Sequence, residues 1–71
     1  MPIDYSKLKG RIVEVLGSQR VFAKAMDMSE RTCSLKLTGQ RVFTQAEILK
    51  AVEVLKLEEN EIVRYFFTEK V

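Results

Sequence analysis

Histidine is absent from this chain of 71 residues, and cysteine and proline each occur once, as Cys33 and Pro2. Each scarcity closes off some chemistry. With no imidazole and a single thiol, a zinc site of ordinary type is excluded, and so is a Cys–His or Ser–His catalytic pair. One thiol cannot form an internal disulfide, which fits a reducing compartment. No apolar run exceeds three residues, so neither a membrane span nor a signal peptide is expected. Repeats, linkers and low-complexity stretches are missing. No nucleophile stands beside a base, no glycine loop is spaced to cradle phosphate, and no metal ligands cluster. Catalysis, a cofactor, a bound metal and a small-molecule substrate are therefore not expected.

What is present suits one small domain spanning 1–71. Hydrophobic residues make up 46% of the chain, enough for a core. A domain this size buries only about 60% of its unfolded surface, so part of its stability is expected to come from a partner. Twelve basic residues against 10 acidic ones give a formal net charge of only +2. The distribution is more telling. Lys7, Lys9, Arg11, Arg20 and Lys24 face one acid, Glu14, across residues 6–24, whereas Glu53, Glu58, Glu59 and Glu61 crowd residues 53–61 around Lys56.

Periodicity predicts five helices and no strand. Asp4 is placed to cap a first helix over Tyr5–Leu16, with Leu8, Ile12, Val15 and Leu16 on one face and Gly17 as its stop. Gly10 inside it costs about 1 kcal/mol relative to alanine. It either admits a close neighbour or is simply exposed. Ser18 opens a second helix over Gln19–Met26, with Phe22, Ala23 and Met26 inward. Asp27 is expected to take a left-handed conformation in the turn. Ser29 caps a third helix over Glu30–Thr38, whose inner edge is Cys33 and Leu37, and Gly39 ends it. Residues 39–43 form a loop, and Thr44 with Glu47 matches a capping box for a fourth helix reaching Leu55 through Ile48 and Val52. A fifth helix, Glu59–Phe67, carries Ile62, Val63, Phe66 and Phe67. Together with Tyr65 these cannot all point inward, so they divide between core and an associating surface. Cys33 reads as a small core residue. Glu58, Glu59 and Glu61 suit the positive start of a helix. Arg20 and Lys24 serve either solubility or phosphate contact. Residues 18–39 have the layout of a helix-turn-helix, whose second helix is built to be presented.

Gln19, Phe22, Ala23, Met28, Ser29, Cys33 and Gly39 resemble, at fixed spacing, the lambda-repressor-like helix-turn-helix family of Cro and CI-type phage repressors. The stretches DYSKLKGRIVE, MSERTCSLKLTG, FTQAEI and RYFF extend the likeness end to end. They resemble small Cro-like proteins of temperate phages of Gram-positive bacteria, a group that includes the modulator-of-repression antirepressors. The resemblance implies a compact all-α, lambda-repressor-like domain with the helix-turn-helix at helices two and three. It also implies a regulator of a lysis–lysogeny switch, acting in the cytoplasm of a bacterial host.

At 100° per residue, Glu30, Arg31, Ser34, Leu35 and Thr38 share the outer arc of the third helix. By the family's pattern this arc enters the major groove. Arg31 would read guanine, and Ser34 a base or phosphate. Gln19, Lys36, Gln40 and Arg41 would add phosphate or rim contacts. Two residues oppose a simple DNA reading. Glu30 is repelled by phosphate unless it accepts from cytosine, and Leu35, unless it touches a thymine methyl, puts a bulky apolar group where relatives often carry polar or basic ones. Both suit a protein interface, with Leu35 central and Glu30 facing a basic surface. The favoured expectation is an antirepressor that covers the DNA-reading domain of a CI-type repressor. The alternative is autonomous binding to operator DNA.

Overall fold

A computed structural model describes residues 3–69. It contains α1 (Ser6–Leu16), α2 (Gln19–Ala25), α3 (Glu30–Leu37), α4 (Gln45–Leu55), a 3₁₀ turn (Glu59–Glu61) and α5 (Ile62–Phe66). Extended pairing among the described residues is confined to an antiparallel bridge between Ile3 and Glu69. There the Asp4 N–H also donates to the Thr68 carbonyl at 2.7 Å. No helix among these residues is long and apolar enough to cross a membrane.

Local chemistry explains the helix ends. Helix α1 starts one residue later than expected, so its N-cap is Tyr5, which makes no side-chain cap bond. Asp4, one residue earlier, accepts through Oδ1 from the Ser6 N–H at 2.9 Å instead of serving as the N-cap. Tyr5 stays outside at φ −98° and ψ 15°, with its ring buried in the core. Ser18 Oγ accepts from the Val21 N–H at 3.3 Å and Ser29 Oγ from the Thr32 N–H at 3.0 Å. Thr44 and Glu47 complete a reciprocal capping box at α4. These caps satisfy N–H groups that a helix start would otherwise leave unpaired.

The link from α2 to α3 is a Schellman turn. Met28 N–H donates to the Ala23 carbonyl at 2.9 Å and Asp27 N–H to the Lys24 carbonyl at 3.1 Å. Asp27 takes φ 61°, the left-handed state that such a turn requires. Gly39 at φ 84° ends α3 in the same way, with the Gln40 N–H on the Leu35 carbonyl at 2.9 Å.

Helix α1 is the hub, packed against α2, α4 and α5, while α3 leans mainly on α2. Leu8, Ile12, Phe22, Ala23, Met26, Cys33, Leu37, Leu55 and Phe66 are buried as their spacing predicts. Val15, Leu16, Ile48, Val52 and Ile62 pack half-buried around them. Tyr5, Phe43, Ala51 and Leu57 complete the core. Phe43 bridges two rings edge to face, with centroids 5.5 Å from Tyr5 and 5.3 Å from Phe66. It thereby pins the α3–α4 loop over the core, adding about 0.5–1.5 kcal/mol per aromatic pair to the burial itself.

The fifth helix is shorter than expected. Its first turn is 3₁₀, closed by Glu61 N–H on the Glu58 carbonyl at 2.9 Å and by the Glu61 side chain accepting from the Glu58 N–H at 3.0 Å. That tight i, i+3 closure takes the acidic residues out of the α-helix proper. In the remaining five-residue helix Phe66 is buried. Val63 at 67% and Phe67 at 53% exposure turn outward instead. Val63 lies on α5, and Phe67 stands just past its end at φ −131°.

Candidate functional site

The short contact of α3 with the body leaves its outer side open. Glu30, Arg31, Ser34 and Thr38 are exposed and Leu35 is half-buried among them. The arc expected from helical spacing therefore exists as a surface, with an apolar centre and charges of both signs at its leading end. Cys33 and Leu37 anchor the opposite side in the core. Burial raises the Cys33 thiol above its ordinary pKa, so it stays protonated and unreactive.

The far end of the arc is tied to itself. Thr38 Oγ1 donates back to the carbonyls of Ser34 and Leu35, at 2.9 and 3.2 Å. Gln40 Nε2 donates to Thr38 Oγ1 at 3.3 Å. Gln40 and Arg41 also spend their backbone N–H groups on the Leu35 carbonyl. Both side chains remain exposed at the rim, while Gln19, at the start of α2, is half-buried.

Lys36 requires a correction. Its expected place was among the phosphate or rim contacts, yet it is the buried charged residue of the described chain, at 7% exposure. Its ammonium donates to Glu47 Oε1 at 2.6 Å and to the Val42 carbonyl at 3.0 Å. It also lies 5.9 Å from the centre of the Phe43 ring. A lysine stem spans this distance along apolar surface while its head finds a carboxylate. Burial alone would raise the Glu47 carboxyl. Hydrogen bonds from Lys36 and Thr44, with the lysine charge, outweigh it and hold the group below the usual range. Lys36 thus fastens α3 to α4 and is withdrawn from the outer surface.

The surface continues from Glu30 beyond the arc read from sequence. Arg20, Ala23 and Lys24 of α2, Met28 and Ser29 of the turn, and Glu30 of α3 enclose a groove of about 280 Å³. The available signal was the i, i+4 spacing of Arg20 and Lys24, which puts both cations on one edge of α2.

Fold and surface together define a small all-α domain that presents one helix and its flanking groove. The chain belongs to the family described as "Protein of unknown function (DUF739)", which matches residues 1–69. No curated protein sequence matches it. It is similar to the solution structure of the modulator of repression (MOR) of the temperate bacteriophage TP901-1 from Lactococcus lactis. That similarity has 52% sequence identity and a TM-score of 0.83, and covers 100% of this chain and 96% of that one.

Proposed function

We propose that this chain is an antirepressor in a temperate-phage lysis–lysogeny switch, working in the cytoplasm of a bacterial host. Helices α2 and α3 form a helix-turn-helix whose second helix docks on the DNA-reading domain of a CI-type repressor. Steric competition then keeps the repressor off its operator. The observation that carries this reading is the 52% identity with a phage modulator of repression over the full length of the chain. The surface adds physical support. Leu35 at the centre of the arc offers apolar area to a protein, and Glu30 opposes phosphate while suiting a basic protein surface. Arg31 and Ser34 supply polar contacts beside Leu35, and Gln40 and Arg41 extend the rim.

A gel-shift experiment with this chain, the CI-type repressor of the same genome and its operator tests the reading. The chain alone is expected to leave operator DNA unshifted at physiological salt, and to abolish the shift that the repressor gives. Leu35→Ser is expected to keep the helical circular-dichroism spectrum while losing that ability. A specific shift by the chain alone would instead establish the operator-binding alternative, with Arg31 as its base reader.

A further inference from the structure

The groove between α2 and the start of α3 has walls of opposite charge. Arg20 and Lys24 stand on one side, Glu30 on the other, and half-buried Met28 contributes apolar surface between them over the buried Ala23. Among the described residues no direct ion pair joins the two walls. The ion pairs of the described residues join Arg11 to Glu14 and Lys36 to Glu47, and neither involves this groove. All three charged side chains are exposed, and the groove stays open between them. A uniformly basic surface meeting α3 would gain at Glu30 and be repelled at Arg20 and Lys24. A phosphate backbone would gain at the cations and be repelled at Glu30. Only a surface that itself carries both signs gains at both walls.

We propose that Arg20 and Lys24 are specificity-determining residues that receive acidic side chains of the repressor's DNA-reading domain while Glu30 receives a basic one. The groove so fixes the orientation in which α3 docks. This rests on the antirepressor reading and adds the charge pattern of the partner to it. Complementary charges of this kind set register and encounter rate, and exclude partners carrying the wrong sign.

Calorimetry with the isolated DNA-reading domain of the CI-type repressor, at two salt concentrations, decides it through the signs of three charge reversals. Arg20→Glu, Lys24→Glu and Glu30→Lys are each expected to weaken binding by about tenfold or more, and higher salt to shrink those losses. A Glu→Lys scan of the repressor domain is expected to find a position that restores binding to Lys24→Glu. Tighter or unchanged binding by Lys24→Glu, with wild-type binding intact, overturns this inference and leaves the antirepressor reading standing. Absence of wild-type binding overturns both. Operator DNA retained by the wild type, more weakly by Lys24→Glu and more tightly by Glu30→Lys, overturns both in favour of phosphate contact. Thermal unfolding of each variant separates loss of binding from loss of fold, since all three side chains are exposed.

Discussion

The Lys36 ammonium and the Glu47 carboxylate meet at 2.6 Å, and the oxygen they share, Oε1, also accepts from the Thr44 N–H at 2.8 Å. One carboxylate therefore closes the capping box of α4 and anchors the end of α3. Because the lysine also holds the Val42 carbonyl, the pair fixes the loop that carries Gln40, Arg41 and Phe43. Lys36→Met should cost about 1.5–3 kcal/mol, the range for a hydrogen bond to a charged group. Glu47 keeps its Thr44 bond and is partly solvated, so the loss should fall toward the lower end. Urea unfolding measures it.

The same pair sets an acid limit. The Glu47 carboxyl lies below its ordinary value of 4.5 when folded. Its contribution is complete above that value and is lost as pH falls through the lower folded one. Stability should therefore decline as pH falls below the ordinary carboxylate value of 4.5 and through the lower folded one, and Glu47→Gln should flatten that part of the curve. A variant as acid-sensitive as the wild type would show that other carboxylates govern the decline.

Ser29→Ala removes the Oγ that caps α3 and should cost about 1 kcal/mol. Because α3 leans mainly on α2, its loss of amide protection should precede that of α1 and α4 in native-state hydrogen exchange. Equal weakening across all helices would mean that α3 does not open separately.

How legible such features are in the chain depends on their range. Ser18, Ser29, Thr44, Asp27 and Gly39 act within a few residues of themselves, and local spacing places each correctly. The outer arc from Glu30 to Thr38 follows from helical geometry alone. The Lys36–Glu47 contact spans 11 residues and a loop, so nothing in either neighbourhood announces it. Lys36 stands one residue from Leu35 and reads as surface. Phe43 sits in a loop without periodicity, and the rings of Tyr5 and Phe66 that hold it come from opposite ends of the chain. The split of the fifth helix hinges on Glu61 folding back on Glu58, a choice that an acidic run does not reveal. The groove charges are visible one by one, but their facing arrangement needs the turn at Asp27.

Gly10 sits in the middle of α1, and a Cβ built there meets nothing within 4 Å. Gly10 is therefore simply exposed and admits no close neighbour. Gly10→Ala should stabilise the domain by about 1 kcal/mol, through helix propensity and a less flexible unfolded chain. A rise in melting temperature without a change in repressor binding is the expected result. Destabilisation would reveal a neighbour that the fold does not show.

Lys56 ends α4 at φ 54°, with the Leu57 N–H on the Val52 carbonyl at 2.9 Å and the Lys56 N–H on the Glu53 carbonyl at 3.3 Å. The left-handed state costs a residue with a Cβ roughly 1–2 kcal/mol, and glycine almost nothing. Glycine also gives the unfolded chain more freedom, which takes back about 0.5–1 kcal/mol. Lys56→Gly should therefore gain about 0.5–1 kcal/mol. Lys56→Ala, equally strained, should gain nothing. Asp27, at φ 61°, should gain less from glycine than Lys56, because a short polar side chain tolerates this conformation better. Denaturant midpoints for the three variants order these effects. A gain for alanine matching that for glycine would show that the lysine side chain, rather than backbone strain, limits the end of α4.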